Sequence, residues 1–557
     1  MSRKDLLRKQ LRAIQVELGE CDSEQADVDE LQLQIEETEL PEEVSKECRF
    51  ELERLERLPL SAPDYQVIRS YLEFLTKLPW QKTTEDRMDL KHARKILDRD
   101  YFGLEDVKNR IIEHLAVMKL NPSAKAPVLC FVGPPGVGKS SLGRSIAEAI
   151  GREFVRESLE GLSDESELRG HRRTFVGAMP GRILQAIQRV GVRNPLVMLD
   201  EFDKLGRDFR GDPAAALIEM LDPAQNTQFR DNYLNLPFDL SKVFFIATAN
   251  SFDTIPQRLL DRIEVLTVSG YSDDQKLQIA RRYLLPKLIE QTGLKGEQLQ
   301  IKDDALMDMI RCHTRESGVT GLDRVMGCVC RKVARRFAEG NSEVVSVDSV
   351  GLEGLLGRGR FSMGAARSDL VPGVAAGLAW TPAGGRIQYV EAVLLPDSHE
   401  FTLTGQLGDI MKESAQTAQS FVRSQWAELN LQKQAMECGV HVHVPAGAMP
   451  KDGPSAGVAM ATALASLYSH QPVRDDTAMT GEITLSGLVL PVDGIKEKVL
   501  AAHRAGMKKV ILPEGNRADL ADLPRQVRGE LEFVFAKHVE QVVTAAIPHL
   551  ANYFTNL

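Results

Sequence analysis

The segment Val128-Leu-Cys-Phe-Val132 is followed directly by Gly133-Pro-Pro-Gly-Val-Gly-Lys-Ser140. An apolar strand, a turn of the pattern G-x-x-x-x-G-K-S and the start of a helix form the setting of a phosphate-binding loop. Glycines let backbone N–H groups close around phosphate oxygens, and the helix N-terminus adds a favourable dipole. Lys139 is expected to contact the β- and γ-phosphates, and the Ser140 hydroxyl is expected to bind Mg²⁺. The residues expected to bind ATP are Gly133, Pro134, Pro135, Gly136, Val137, Gly138, Lys139 and Ser140.

Two further apolar strands end in polar side chains. Pro195-Leu-Val-Met-Leu-Asp-Glu201 ends in two carboxylates, and Val243-Phe-Phe-Ile-Ala-Thr-Ala-Asn250 ends in an amide. We expect Asp200 to hold Mg²⁺ through its water shell, Glu201 to polarise the attacking water, and Asn250 to contact the γ-phosphate or that water. Short apolar strands that alternate with helices between residues 127 and 268 predict an open parallel α/β sheet.

A second group of candidate residues lies in the C-terminal part of the chain. The segment from His441 to Gly457 ends a strand in a turn of small residues and then opens a helix. Such a turn exposes Ser455 beside free backbone N–H groups, which a nucleophile and its oxyanion hole require. A buried lysine loses its charge readily and can take the serine proton. Spacing alone does not choose between Lys496 and Lys498.

The pattern along the chain predicts a multidomain α/β protein with six regions. Residues 1–60 form a coiled-coil-like helical arm, 61–120 a helical neck, 121–268 an α/β domain, 269–345 a helical lid, 346–368 a glycine-rich linker and 369–557 a second α/β domain. In the arm, Leu7, Leu11, Ile14 and Leu18 fall on one helical stripe. A solvated helical linker is the alternative interpretation of the same pattern.

Composition limits the classes of function. The chain has 557 residues and a formal net charge of −10, which argues against nucleic acid as the main partner. The longest apolar runs are too short to span a bilayer, so no membrane role is expected. The first residues lack the apolar core of a secretory signal. Seven scattered cysteines do not indicate a disulfide framework, and we expect a cytoplasmic protein.

Three segments resemble the peptidase signature of Lon proteases. They are Pro450-Lys-Asp-Gly-Pro-Ser-Ala-Gly457, Met479-Thr-Gly-Glu-Ile-Thr484 and Lys496-Glu-Lys498. The resemblance implies that Ser455 is the nucleophile and Lys498 its partner.

The same resemblance implies two supporting residues in the peptidase domain. Asp452 is expected to gate or charge-balance the site, and Thr480 to hydrogen-bond Lys498.

The phosphate loop and the strands after it resemble an AAA+ ATPase, and the likeness to Lon covers almost the whole chain. It implies an AAA+ domain with a helical lid, followed by a Lon-type peptidase domain. Asn250 would be the first sensor, and Arg262 an arginine finger that acts on the neighbouring subunit's nucleotide. Phe175 and Val176 would form the pore loop that grips an unfolded substrate, because an aromatic ring holds any side chain by contact area.

The function implied is that of an ATP-dependent serine endopeptidase. Such an enzyme unfolds, translocates and processively degrades damaged, misfolded or regulatory proteins in a homohexameric chamber, with ATP and Mg²⁺ as cofactors. One alternative is a remodelling ATPase whose peptidase domain is inert. Another is a DNA-binding regulator. The negative net charge argues against DNA binding as the main role, whereas weak DNA binding is kept as an alternative.

The chain departs from the Lon pattern at the second sensor. The pattern Gly-Val-Arg-x-Leu reads Gly318-Val-Thr-Gly-Leu322 here, so threonine stands at 320 where the family carries arginine. Arg324 is a candidate substitute, although it also matches a further arginine of the family. We expect ATP binding to survive and hydrolysis, or its coupling to proteolysis, to be slow.

Two other departures concern the catalytic lysine and the N-terminus. Asp493-Gly494 replaces the usual Gly-Gly, which puts a carboxylate near Lys498. That carboxylate raises the lysine's pKa if it faces inward and has no effect if it faces water. The large N-terminal substrate-binding domain of Lon proteins has no counterpart here, so a shortened chain or a short variant is expected.

Overall fold

The computed structural model describes residues 23–59, 61–121, 127–206, 211–252, 254–340, 343–361, 367–381, 384–425, 438–445 and 451–553. These residues form two compact units. The first contains the described residues up to Gly133 together with Gly138–Ser269, and the second contains Pro134–Val137 and the described residues from Gly270 onward. Among the described residues, no helix is long and apolar enough to cross a membrane.

The first unit begins with five helices. They are α1 (Ser23–Glu37), α2 (Glu42–Leu55), α3 (Pro63–Lys77), α4 (Leu90–Asp100) and α5 (Glu105–Leu120). Helix α2 starts directly after Pro41, and its apolar stripe, which includes Val44 and Leu55, is buried. Helices α1 to α3 share one hydrophobic core with the α/β sheet of this unit. The described part of the expected arm is therefore packed against a domain, whereas the predicted stripe over residues 7–18 lies outside the described residues.

A five-stranded parallel sheet forms the centre of the first unit. Its strands are β1 (Val128–Val132), β2 (Phe154–Ser158), β3 (Leu196–Asp200), β6 (Phe244–Ala249) and β7 (Ile263–Thr267), in the order β2-β3-β6-β1-β7. Strands β1, β3 and β6 are buried along their whole length, as their largely apolar sequences predict. Since they are neighbours and parallel, their carboxyl ends meet at one edge, where the phosphate loop, Asp200 and Asn250 follow.

The remaining elements of the first unit surround this sheet. They are helices α6 (Lys139–Ile150), α7 (Ser166–Arg169), α8 (Arg182–Val190), α9 (Pro213–Leu221) and α10 (Gln257–Leu260), with the short antiparallel pair β4 (Phe229–Arg230) and β5 (Pro237–Phe238).

The second unit opens with a mostly helical region. Its elements are α11 (Asp273–Ile279), a π-helical turn Ala280–Leu284, α12 (Leu285–Gln291), β8 (Leu299–Ile301), α13 (Asp303–Asp308), a π-helical turn Met309–His313, α14 (Thr320–Ala338), β9 (Val345–Val347) and α15 (Ser349–Leu356). Helix α15 lies where the sequence predicted a linker. It forms because the Asp348 side chain accepts the Gly351 N–H at 2.9 Å, while Leu352 and Leu355 are buried.

A seven-stranded mixed sheet organises the C-terminal region. Its strands are β10 (Val374–Thr381), β11 (Gly384–Leu395), β12 (Phe401–Thr404), β13 (Gly439–His443), β14 (Thr477–Met479), β17 (Lys509–Pro513) and β18 (Glu532–Ala536), in the order β12-β13-β11-β10-β14-β17-β18. This sheet and the helices beside it agree with the α/β pattern predicted for the C-terminal region. A separate pair is formed by β15 (Glu482–Ile483) and β16 (Val489–Leu490).

Five helices accompany this sheet. They are α16 (Asp409–Ser424), α17 (Gly457–Ser469), α18 (Ile495–Arg504), α19 (Arg525–Glu530) and α20 (Val539–Ala546). Helix α17 is buried at every position from Gly457 to Tyr468. It is apolar all round because it has no face toward solvent.

Candidate functional site

The phosphate loop adopts the conformation that its glycines predict. Gly136 and Gly138 have φ angles of +80° and +92°, a region that other residues enter only with strain. The buried Lys139 ammonium donates to the Gly133 carbonyl at 2.5 Å and to Asn250 Oδ1 at 3.0 Å. Burial lowers the pKa of Lys139, while the charge of Asp200 opposes that effect. Lys139 and Asn250, the expected first sensor, are thus in direct contact beside the phosphate loop.

Asp200 is the centre of a buried polar cluster. Its carboxylate accepts the Ser140 hydroxyl at 3.3 Å, the Thr248 hydroxyl, and Arg156 Nε at 2.6 Å. The Ser140 and Asp200 oxygens are hard ligands side by side, so this donor set fits Mg²⁺. Sequence reasoning missed Arg156 and Thr248. Thr248 carries a recognisable signal, since it is a polar residue near the end of the apolar strand β6, two residues before Asn250.

Glu201 is held in a strained backbone conformation. Its φ angle is +59°, uncommon for a residue with a side chain. The Glu201 N–H donates to the Thr248 hydroxyl at 3.3 Å, and Lys204 Nζ donates to its Oε1 at 3.0 Å. The predicted water-polarising carboxylate therefore lies at the edge of the site, paired with a lysine.

Arg262 is exposed and lies away from the phosphate loop of its own chain. Its side chain is 3.2 Å from Asp222, and its carbonyl accepts the N–H of Val128. Val128 begins strand β1, whereas the phosphate loop follows the end of that five-residue strand, about 16 Å away. The arginine is therefore remote from the nucleotide site of its own chain.

Phe175 and Val176 protrude from the loop between helices α7 and α8. Their exposed fractions are 63% and 107%, unusual for apolar side chains. The His171 N–H donates to the Met179 carbonyl at 2.9 Å, which closes the loop below its tip. The loop therefore presents two exposed apolar side chains at its tip.

Ser455 lies in the one-turn 3-10 helix Pro454–Ala456, immediately before helix α17. Its carbonyl accepts the Gly481 N–H at 3.0 Å and the Thr480 hydroxyl at 3.2 Å. The hydroxyl of Thr480, expected on Lys498, therefore fixes the backbone of the serine instead. At the start of α17, the Gly457 N–H donates to the Pro454 carbonyl and the Val458 N–H to the Gly481 carbonyl at 3.2 Å, so the N–H groups expected to be free there are already bonded.

Asp452 fixes the other side of the same turn. Its Oδ1 accepts the Gly453 N–H at 2.9 Å and the Met411 N–H at 3.0 Å, in the first turn of helix α16. The carboxylate thus ties the serine turn to a helix N-terminus, where negative charge is favourable. The neighbouring Lys451 is buried and donates to the Gly405 carbonyl at 2.7 Å.

Lys498 has the environment of a general base. Its side chain is 2% exposed, and burial lowers its pKa from 10.5 to about 8, against the opposing charges of Asp493 and then Glu497. Helix α18, which carries Lys498, and the Ser455 turn both pack on strand β10. Among the described residues, no hydrogen bond joins the Ser455 hydroxyl to the Lys498 amine. Lys496, its competitor in the sequence, is only half-buried.

The two histidines before the serine turn are engaged elsewhere. The hydroxyl of Thr404 lies 2.8 Å from His441 Nε2 and 2.7 Å from His443 Nδ1. Their role is therefore the structural one expected for residues on one strand face.

Comparison with known families matches three segments of the chain. Residues 129–271 match the ATPase family associated with various cellular activities (AAA), residues 290–345 the Lon protease AAA+ ATPase lid domain, and residues 346–549 the Lon protease (S16) C-terminal proteolytic domain. These matches contain the phosphate loop, helix α14 and the Ser455 turn, respectively.

Three similar proteins carry the name Lon protease. The protein of Nitrosococcus oceani is 63% identical over 549 residues, covering 98% of this chain and 71% of the relative. Those of Methylocella silvestris and Dictyoglomus thermophilum are each 53% identical, covering 99% and 97% of this chain and 68% and 69% of the relatives. With an AAA ATPase domain, its lid and a serine peptidase domain in one sequence, the chain belongs to the Lon protease family of ATP-dependent proteases.

Proposed function

We propose that peptide bonds are cleaved by Ser455 with Lys498 as its base. The neutral Lys498 amine takes the proton of the Ser455 hydroxyl as the oxygen attacks the substrate carbonyl. Backbone N–H groups of the Ser455 turn stabilise the resulting oxyanion. The lysine then gives its proton to the leaving amine, and water hydrolyses the acyl-enzyme. The observation that carries this proposal is the buried, readily neutralised Lys498, whose helix α18 packs on the same strand β10 as the Ser455 turn.

Asp452 and Thr480 are proposed to support this dyad by holding the serine turn. Asp452 restrains the turn through the Gly453 N–H, and Thr480 through the Ser455 carbonyl. Neither side chain needs to exchange a proton with the substrate.

We propose that ATP is bound by the phosphate loop and by Asn250. Ser140 and Asp200 would hold Mg²⁺, which when bound supplies positive charge against the β- and γ-phosphate oxygens. Glu201 would orient the attacking water once its carboxylate leaves Lys204. Because Arg262 lies at the far end of strand β1, it is proposed to act on a neighbouring subunit's nucleotide, and that role requires a ring.

The whole assembly is proposed to be a cytoplasmic homohexamer that degrades damaged, misfolded or regulatory proteins processively. Phe175 and Val176 would grip an unfolded chain, and ATP hydrolysis would move them. Two exposed apolar side chains on a loop with a closed base support this proposal.

The test is degradation of casein and of a small fluorogenic peptide by Ser455→Ala, Lys498→Ala and Lys496→Ala. The first two variants should lose both cleavage reactions, since the base and nucleophile act as a unit. Lys496→Ala is the matched control and should keep substantial activity. ATP hydrolysis should stay within a few-fold in Ser455→Ala. Casein cleavage by Ser455→Ala, or a greater loss in Lys496→Ala than in Lys498→Ala, would contradict the assignment.

A further inference from the structure

Arg173, two residues before the exposed Phe175, turns back toward the N-terminal helices. Its guanidinium lies 3.8 Å from the centre of the Tyr71 ring on helix α3. It also donates to Glu51 Oε1 on helix α2 at 2.8 Å and lies 3.5 Å from Glu47. Stacking on an aromatic face and pairing with a carboxylate are contacts that only arginine combines well.

The carboxylate that receives Arg173 is almost completely removed from solvent. The Glu51 side chain is 4% exposed, and its second oxygen lies 3.6 Å from Arg54. A buried carboxylate that loses one cationic partner is strongly destabilised, because water cannot replace the lost charge. The Arg173 contact is therefore hard to break, in contrast to an ion pair on an exposed surface.

The other end of the same loop is tied to helix α3 as well. Tyr71 donates its hydroxyl hydrogen to the Leu234 carbonyl at 3.0 Å. The Leu234 N–H donates to Asp231 Oδ1 at 3.0 Å, and Asp231 Oδ2 accepts the Gly181 N–H at 2.7 Å. Gly181 has no room for a side chain, since a Cβ there would lie 1.9 Å from the Leu168 carbonyl oxygen. Both ends of the loop are thus connected to one tyrosine.

We propose that Arg173 is a positioning residue that anchors the substrate-gripping loop to helices α2 and α3 through Glu51 and Tyr71. This inference rests on the proposed function, in which Phe175 and Val176 grip the substrate. A loop can pull a polypeptide only if its base resists the load, and the anchor fixes that base two residues from the ring. Helices α2 and α3 therefore take part in translocation by holding the base of this loop.

The test compares Arg173→Ala, Arg173→Lys and Glu51→Gln, with Arg172→Ala as the matched control. Arg172 is an exposed neighbour of the same charge. The readout is the kcat for casein degradation divided by the kcat for cleavage of a small fluorogenic peptide. A change that merely weakened the fold would lower both rates together and leave this ratio unmoved.

Arg173→Ala and Glu51→Gln should each lower the ratio by about fivefold or more, and combining them should add little, since both break one interaction. Arg173→Lys keeps a charge for Glu51 and should recover about half of the loss, whereas Arg172→Ala should stay within about twofold of the parent. A ratio for Arg173→Ala within twofold of the parent would overturn the anchor.

Phe175→Ala distinguishes a failure of the proposed grip from a failure of the proposed anchor. If Phe175→Ala lowers the ratio while Arg173→Ala does not, the grip stands and the anchor is refuted. If Phe175→Ala leaves the ratio unchanged, the proposed grip fails, and the anchor fails with it. Should Arg173→Ala fold poorly, Arg173→Lys and Glu51→Gln still decide, because each preserves the size of the side chain.

Discussion

Replacing Asp493 by asparagine changes the charge near the proposed base without changing the size of the side chain. Burial brings the pKa of Lys498 to about 8, and the negative charge of Asp493 acts in the opposite direction by favouring the ammonium form. With that pKa, about one tenth of the lysine is neutral at pH 7, half at pH 8 and about nine tenths at pH 9. Cleavage that requires the neutral amine should therefore rise about tenfold between pH 7 and pH 9.

In Asp493→Asn the ammonium form loses a stabilising charge, so the pKa of Lys498 falls and the profile moves to lower pH. Asp493 is exposed, so its charge acts partly through water and is screened by salt. We therefore expect kcat/KM for a small fluorogenic peptide to rise by about twofold at pH 7 in low salt and to stay unchanged at pH 9. The increase should shrink as salt is added.

The assay is the pH profile of kcat/KM for that peptide between pH 6 and 10, about two pH units either side of the expected midpoint. Asp397→Asn is the control, because Asp397 is an exposed carboxylate in the turn after strand β11. Gly385, at the start of that strand, lies against Glu497 and Lys498, so Asp397 is about 40 Å along the strand from the lysine. A profile that stays in place, or moves to higher pH, would show that the charge of Asp493 does not favour the ammonium form of Lys498.

Three further changes test other parts of the molecule. Thr320 is exposed at the start of α14, and its hydroxyl would lie 2.5 Å from a Cβ on Gly136. Thr320→Arg should raise the steady-state rate of ATP hydrolysis by up to about tenfold. An unchanged rate would mean that the lid senses nucleotide in another way. In Gly385→Ala, the new Cβ would lie 1.9 Å from the Glu497 carbonyl oxygen, so peptide cleavage should fall by about tenfold or more. Parent-like cleavage would show that the close contact between Gly385 and Glu497 is not needed. Thr248→Val should lower the kcat for ATP hydrolysis by about tenfold, because the Asp200 carboxylate, which is proposed to bind Mg²⁺, loses a hydrogen bond. A parent-like kcat would show that hydrolysis does not depend on this hydroxyl.

The nucleotide site was largely predictable because its signals are local. A strand, a glycine turn and a helix follow one another from Val128 to Ile150, and parallel pairing then brings the ends of β1, β3 and β6 together. Arg156 could not be found in the same way. It reaches Asp200 only because strand β2 is the neighbour of β3, and nothing in its own surroundings indicates that pairing.

Tertiary packing accounts for the other differences. Two glycines, Gly351 and Gly354, made residues 349–356 look like a linker, yet the burial of Leu352 and Leu355 outweighs their low helix propensity. The contact between Arg173 and Tyr71 joins residues about a hundred positions apart. No pattern in a single sequence predicts a contact of that kind.

The buried helix α17 has a consequence for efforts to alter what this peptidase cuts. Because every position from Gly457 to Tyr468 is enclosed, a substitution there disturbs packing before it alters contact with a substrate. A mutant library is better directed at Trp380, which is exposed and lines the same cleft as Ser455. The serine turn then stays joined to an unaltered α17, and new cleavage preferences can be selected without loosening that helix.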